Sequence, residues 1–386
     1  MRGKKVWFVV IAALFVVSSL VINSSLAEAK APKEVSITTY GVGSQAFVFS
    51  AGIAEGVQKV SGITTRVVPA GNDVGRILPL RAGEVDFCIV TGATGWFVSH
   101  GTGDFAKPTW GPQPVRMAWR GGNLFVGFYT RGDSGIKKVS QLKGKRVGQI
   151  PGSTTINNII QGGLAFGGLT LKDCVVVRLP SHGAGGKALT QGAIDFYEFG
   201  TTGARPIETA ASPHGIHWFN LDPKDKAAWK RLYGFCPWTE ETRVTRYAGK
   251  EKGIKPFHAL TYPYNMWAWD KTPVDVVYAY AKAMWDSYDI YKSRHAELPY
   301  WNHYNLANVK GCFYPYHEGV VKLLKEKGKW TTAHEKFQKT QLDNEKKRMA
   351  LWKKAQQEAK AKKIKVGSEP WSQFWWKQLS ENGLLR

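Results

Sequence analysis

Between residues 35 and 90, β-rich runs alternate with helical runs, and the loops between them hold only a few residues. Residues 35–40 are β-rich and stop at Gly41. Residues 47–60 read as a helix, 65–69 as a second strand ended by Ala70-Gly71-Asn72-Asp73, 74–81 as a short helix and 85–90 as a third strand. Strands joined through a helix cannot pair as a hairpin, so this βαβαβ order dictates a largely parallel sheet covered by helices. The order is then written again. Residues 125–130 read as a strand, 140–145 as a turn, 146–150 as a strand, 154–166 as a helix, 175–179 as a strand, 186–191 as a helix and 194–199 as a strand. The two passages share no obvious identity, which predicts two similar lobes rather than a tandem repeat. A chain of 386 residues is long enough for both to have cores of their own.

Further on, Thr272 is placed to cap a helix whose first turn holds Pro273. Its apolar stripe is Val274, Val277, Ala281, Met284, Tyr288 and Tyr291. Another helix is expected over 317–327, stopped by Gly328. Residues 333–363 are lysine-rich and free of Gly and Pro, with a thin apolar edge of Phe337, Met349, Trp352 and Ala359. They read as a long surface helix. The cluster Trp371, Phe374, Trp375 and Trp376 is expected to dock on the body.

The chain begins with the marks of a secretory signal over residues 1–29. Arg2, Lys4 and Lys5 precede an apolar run over 6–22, and Ala27-Glu28-Ala29 has the form of a cleavage site. An uncleaved anchor is the alternative, because the run reaches the lower edge of a spanning helix. Export bears on the charge. A formal net charge of +23 points to anionic partners, whether small acids, anionic lipid or nucleic acid, and an exported chain does not meet nucleic acid. Much of the excess lies between residues 322 and 365, away from any cleft.

The four cysteines form no CxxC pair, so neither zinc nor thioredoxin-like chemistry is expected. Cys88 and Cys174 lie in or beside β-rich runs and read as buried thiols. Cys236 and Cys312 lie in turn-like surroundings, where an oxidising compartment admits a bridge.

Strings that resemble catalytic motifs have plainer readings. Gly41-x-Gly43-x-x-Ala46 follows a strand like a dinucleotide fingerprint, but the acid that would hold a ribose is missing at the end of the next strand. Gly132-Asp133-Ser134-Gly135 resembles a serine-protease loop in a chain without the all-β pattern of that fold, and Arg131-Gly132-Asp133 reads as part of the same turn. The histidines show no metal spacing, and His182, His214 and His217 read as loop or surface residues. Neither catalysis, a cofactor nor a metal is expected.

In an open α/β sheet, ligands bind beyond the carboxyl ends of the strands. Four loops stand there: Gly41-Val42-Gly43-Ser44-Gln45, Ala70-Gly71-Asn72-Asp73, Thr91-Gly92-Ala93-Thr94 and Pro151-Gly152-Ser153-Thr154-Thr155. Glycines let backbone N–H groups approach a ligand, and helix N-termini favour anions. Ser44, Gln45, Phe47, Asn72, Thr91, Gly152, Ser153, Thr154 and Thr155 are therefore the candidate ligand-binding residues. The last four form an anion clamp, with Ser44 and Gln45 facing them and Asn72 and Thr91 beside.

These residues resemble the TAXI-type solute receptors of TRAP (tripartite ATP-independent periplasmic) transporters. The resemblance rests on Gly43-Ser44-Gln45-Ala46-Phe47 with Ala51-Gly52-Ile53-Ala54, and on Leu80-Arg81-Ala82-Gly83-Glu84-Val85-Asp86. It continues in Asp133-Ser134-Gly135-Ile136-Lys137, Leu142-Lys143-Gly144-Lys145-Arg146-Val147, the Pro151–Thr155 loop and Pro315-Tyr316-His317-Glu318-Gly319. It covers about residues 35–328. It implies an α/β fold of the type II periplasmic-binding-protein kind, two lobes with a hinge and a ligand cleft between them. It also implies a small organic acid or amino acid as ligand, a TRAP membrane permease as partner and no chemistry on the ligand. Where the family has a tyrosine pair, a serine-bearing glycine loop and a glutamine, this chain has Ala46-Phe47, Gly71-Asn72-Asp73 and Thr91. These departures point to a different substrate.

The expected organisation is a signal over 1–29, lobe I over 30–124 and 260–328, lobe II over 125–259, and a basic helical extension over 329–386. The expected function is a periplasmic or otherwise extracytoplasmic receptor that hands its ligand to a permease. A periplasmic enzyme on the same scaffold, or a surface interaction protein using the basic tail, are the rivals.

Overall fold

The computed structural model describes residues 31–385. The expected signal and cleavage site lie outside the described residues. Ten strands follow in chain order: β1 (Glu34–Tyr40), β2 (Thr64–Ala70), β3 (Phe87–Thr91), β4 (Val115–Arg131), β5 (Arg146–Gln149), β6 (Val175–Arg178), β7 (Tyr197–Gly200), β8 (Ile216–Trp218), β9 (Glu240–Val244) and β10 (Phe257–Trp269). The helices are α1 (Gln45–Ser61), α2 (Asp73–Ala82), α3 (Gly92–His100), α4 (Thr154–Phe166), α5 (His182–Thr190), α6 (Ala204–Ala211), α7 (Lys226–Tyr233), α8 (Val274–Asp286), α9 (Tyr288–Tyr291), α10 (His303–Leu306), α11 (Glu318–Glu326), α12 (Thr332–Ala361) and α13 (Glu369–Glu381).

Two long antiparallel strands, β4 and β10, form a ribbon on which everything else is mounted. One end of β10 pairs with β3, and β3, β1 and β2 run parallel beside it. The other end of β4 pairs with β7, and a bridge from Phe196 to Val147 brings in the parallel pair β5 and β6. The fold is thus α/β, with two βαβαβ lobes sharing one ribbon. The register of the ribbon slips between Pro263 and Asn265, opposite Asn123 and Arg120. An extra residue on one strand bends and twists a pair of strands, and here the slip lies where β10 begins to pair with β3, with a second slip between Met266 and Trp267.

The ribbon departs most from the sequence reading. The strand expected over 125–130 begins at Val115, and β10 was not expected at all. Cβ atoms at Gly121 and Gly122 would lie 2.4 Å from Trp301 and 2.3 Å from Tyr300, so the glycines let those rings lie on the strand. β10 is buried at nearly every position and so lacks the alternation that marks a half-buried strand.

Local choices explain the helices that place the loops. Ser44 Oγ accepts the Phe47 N–H to start α1, whose Phe49, Ile53 and Val57 pack inward. In α2 the buried positions are Asp73, Arg76, Ile77 and Leu80, an apolar-stripe spacing with charges at its first two places. Pro273 occupies the position before α8 rather than its first turn, and Thr272 Oγ1 accepts the Trp269 N–H instead of capping.

The tail forms α12 and α13. The buried stripe of α12 is more polar than expected, and Phe337 and Met349 are only half buried. Glu345 takes both arms of Arg116 at 2.6 and 3.0 Å, Gln338 bonds the Tyr316 backbone, and buried Arg348 donates to Ser99 O. Trp352 packs edge to face on both Trp371 and Trp375, and Trp375 Nε1 donates to His100 O. Among the described residues no helix is long and apolar enough to cross a membrane. All four cysteines are free; Cys236 donates to Asn158 O and Cys312 lies against Met117 Sδ, so they are not bridged to each other. Cys174 is half buried, and Cys88 is fully buried.

Candidate ligand cleft

The loops after β1, β2 and β3 meet the loops after β5, β6 and β7 face to face. Their contacts are direct hydrogen bonds. Asn72 Nδ2 donates to Pro151 O and the Val74 N–H to Gly152 O, both at 3.1 Å. The His182 N–H donates to Gly71 O at 3.2 Å, and Gln45 Nε2 donates to Thr202 Oγ1 at 2.6 Å. Tyr40 Oη lies 3.2 Å from Ser153 Oγ, and Thr94 Oγ1 lies 2.9 Å from Thr155 Oγ1. The lobes are closed on each other in this structure.

At the centre lies Asp73, fully buried. One carboxylate oxygen accepts from Tyr40 Oη at 2.7 Å and from Arg76 at 2.6 Å; the other accepts the Thr155 N–H at 3.1 Å. Thr94 Oγ1 adds a contact at 3.3 Å. The Arg76 guanidinium lies 3.5 Å from the centre of the Tyr40 ring. A carboxylate from lobe I therefore occupies the anion-favouring N-terminus of α4 in lobe II. Thr154 is also engaged by an acid: its hydroxyl donates to Asp104 at 2.6 Å and accepts the Asp104 N–H at 2.8 Å.

Of the nine candidate residues, Asn72, Thr91, Gly152, Ser153, Thr154 and Thr155 are gathered in this zone. Thr91 reaches it through Thr94, 3.1 Å away. Gly152 has φ +73° and lies against Asn72, a conformation that side chains rarely adopt. Ser44 caps its own helix, Gln45 faces the loop after β7 rather than the clamp, and Phe47 is half buried on α1.

Sequence reading missed the other members. His182, expected in a loop or on the surface, is buried and stacks on Phe199 at 4.0 Å. Burial and then the nearby Arg76 push its pKa down to about 3. Glu198 is 2% exposed, its Oε1 has no hydrogen-bond partner, and burial and then Asp73 push its pKa up to about 8. These two lie 3.6 Å apart. At neutral pH the histidine is uncharged and the acid largely protonated, so the contact is not an ion pair. The Asp73–Arg76 pair had a signal available, two charges inside the apolar stripe of a helix. His182 and Glu198 had none.

Among the described residues no group of three or more His, Cys, Asp or Glu side chains could hold a metal ion.

The model of the NMT1-like family matches residues 37–328, nearly the span on which the sequence resemblance rests. Among solved structures, the chain is similar to the periplasmic binding protein BugD, with 14% identity over 76% of this chain and 97% of that one and a TM-score of 0.49. It is also similar to the alkanesulfonate-binding protein SsuA from Xanthomonas axonopodis pv. citri bound to MOPS, with 16% identity over 76% and 84% and a TM-score of 0.42. A third is the amino acid transporter substrate-binding protein AbpA from Streptococcus pneumoniae bound to L-arginine, with 11% identity over 69% and 93% and a TM-score of 0.42.

Proposed function

The chain belongs to the NMT1-like family, and from that premise we propose that it is an extracytoplasmic solute-binding receptor that captures a small carboxylate-bearing molecule between two lobes. The observation that supports this most is the meeting of the two loop sets around a carboxylate. The N-terminus of α4 is built to hold an anion, and in the closed form its own Asp73 fills the place. When the lobes part, the Thr155 N–H and the Ser153 and Thr155 hydroxyls become free to receive a ligand carboxylate, while Asp73 keeps Arg76 and Tyr40. Ser44, Gln45, Phe47, Asn72, Thr91, Gly152 and Thr154 line the approach.

In this reading, lobe I comprises residues 30–124 and 260–328, lobe II residues 125–259, and the bend of the β4–β10 ribbon is the hinge. The tail from residue 329 braces lobe I. The ligand is an organic acid or amino acid, delivered without chemical change to a membrane permease of the TRAP type, and the signal over 1–29 directs export. The sequence motifs from Gly43 to Gly319 support the TRAP assignment.

The test is calorimetric titration of protein stripped of ligand by unfolding and refolding, against a panel of small carboxylates and amino acids. At least one saturable, one-to-one isotherm is expected, with the matching primary alcohol or amide inactive. Binding of neutral analogues as tightly as acids would overturn the carboxylate assignment. A silent panel with correctly refolded protein would overturn the receptor reading for this ligand class.

A further inference from the structure

The tail holds charge that the cleft does not use. Residues 329–386 carry fourteen Lys and Arg against six Asp and Glu. The buried stripe of α12 runs from His334 to Ala359, and its Gln338, Glu345 and Arg348 are tied to Tyr316, Arg116 and Ser99 of lobe I. On the other side, Lys339, Lys346, Lys353 and Lys360 recur every seven residues, two turns apart, and Lys347 and Lys354 stand one residue on from two of them. At about 3.6 residues per turn these six share one face, opposite the buried stripe, over a length of about 32 Å. All six are exposed. Among the described residues only Lys354 of the six has an acid in salt-bridge reach, Glu358 at 4.0 Å. Glu345 is turned inward to Arg116, and Glu335 accepts from Trp330 Nε1.

The make-up of this face decides what it fits. Between the lysines stand Thr340, Asp343, Ala350 and Gln357. Interfaces between proteins are depleted in lysine and depend on aromatic and arginine anchors, which this face does not offer. Lysine is a mobile point charge rather than a rigid fork, which suits headgroups that rearrange around it. A cluster of roughly four to eight lysines is drawn to an anionic lipid surface with no fixed geometry required. The apolar side chains of α12, Trp352 among them, are packed on the body, so the helix has no apolar face to insert and would rest on headgroups by charge alone.

We propose that the lysine face of α12 docks the protein on an anionic membrane surface. Because α12 is bonded to lobe I, docking there holds lobe I and leaves lobe II free to part from it. The inference stands apart from the cleft and holds whatever ligand the cleft takes.

The test is flotation with lipid vesicles of the chain from Ala31, which forms one compact unit and leaves out the apolar run over 6–22. Vesicles of phosphatidylglycerol and phosphatidylcholine in equal parts should bind it, and pure phosphatidylcholine should not. Binding should fall roughly tenfold or more between about 0.05 and about 0.5 M salt, as screening shortens the reach of the charges. Lys346→Gln, Lys347→Gln, Lys353→Gln and Lys354→Gln together should weaken it roughly a hundredfold or more, since each lysine at such a surface strengthens binding roughly fivefold. These exposed changes to a good helix former leave the fold intact. Lys172→Gln, Lys224→Gln, Lys226→Gln and Lys230→Gln together remove the same charge from exposed places on lobe II and should leave binding within several-fold. Failure of the wild type to float with anionic vesicles at low salt would overturn the inference, as would equal binding to both kinds of vesicle. Equal loss in the two quadruple variants would assign the binding to net charge rather than to α12 and overturn it too. Saturable binding of a polyglutamate peptide without binding to vesicles would put an acidic protein in the place of the membrane and overturn it as well.

Discussion

The Thr155 N–H, in the first turn of α4, donates to the carboxylate of Asp73, in the first turn of α2, at 3.1 Å. One buried acid thus serves the N-terminus of α4 and a buried arginine, and joins the two lobes. The first turn of α4 has N–H groups without helical partners, and the carboxylate accepts one of them, while Asn72 caps α2.

Asp73→Asn keeps the shape and removes the charge. Arg76 is fully buried and loses its acid, and breaking a buried pair by removing one partner costs about 3–5 kcal/mol. Urea unfolding should show a loss of that order. Small-angle X-ray scattering should show a larger radius of gyration as the lobes part. A variant as stable and as compact as wild type would contradict the role given to Asp73.

Gly200→Ala tests closure without disturbing the core. A Cβ there would lie 1.8 Å from Gln45 Oε1, the end of a flexible side chain, and 3.4 Å from Leu124. Gln45 can swing away, so stability should change by less than about 1 kcal/mol, while the Gln45–Thr202 bond is lost. Hydrogen exchange of the 200–205 loop should speed up; unchanged exchange would show that this bond does not hold the lobes.

The pH dependence has two sides. Glu198 has its folded pKa raised to about 8, so the stability linked to its proton is complete below the ordinary carboxyl range and is lost as pH rises through about 8. His182 has its folded pKa lowered to about 3, so the stability linked to its neutral form is complete above the ordinary imidazole range and is lost as pH falls towards 3. The melting temperature should therefore peak in mildly acidic to neutral solution. Glu198→Gln should melt higher than wild type at pH 9 and gain least at pH 4. An equal difference at both would contradict the raised pKa.

The sequence shows the short strands and their helices because each was bounded by glycine or polar turns and repeated the βαβ order; α4 has the expected bounds of 154–166. The ribbon is hidden because β10 carries Pro263 and is buried at nearly every position, and because Gly121-Gly122 breaks the β-rich pattern of residues that nonetheless form one strand, β4. At the candidate cleft, glycine and hydroxyl residues at strand ends are legible as loops. Their partners are not, since Asp73 meets Thr155 across 82 positions. His182 sits next to Gly183 in a run that looks exposed, yet ring stacking on Phe199 buries it.

The tail supports lobe I through side chains rather than through the cleft. Trp375 is fully buried, and its N–H holds His100 O. Trp375→Ala should cost about 3–5 kcal/mol by thermal or urea unfolding, while ligand affinity of the folded fraction stays within several-fold. Loss of binding in a variant that remains folded would make the tail part of the site.

The central claim is that a small carboxylate binds between the two loop sets at the N-terminus of α4, in the place that Asp73 takes in the closed form. Native mass spectrometry of freshly purified full-length protein tests it most directly, with the bound species released by denaturation and identified. The account predicts one small molecule per chain, bearing a carboxylate, unchanged after prolonged incubation, and lost from a Thr155→Asp variant that remains folded. A neutral or cationic occupant, or one that the protein converts to another compound, would contradict it.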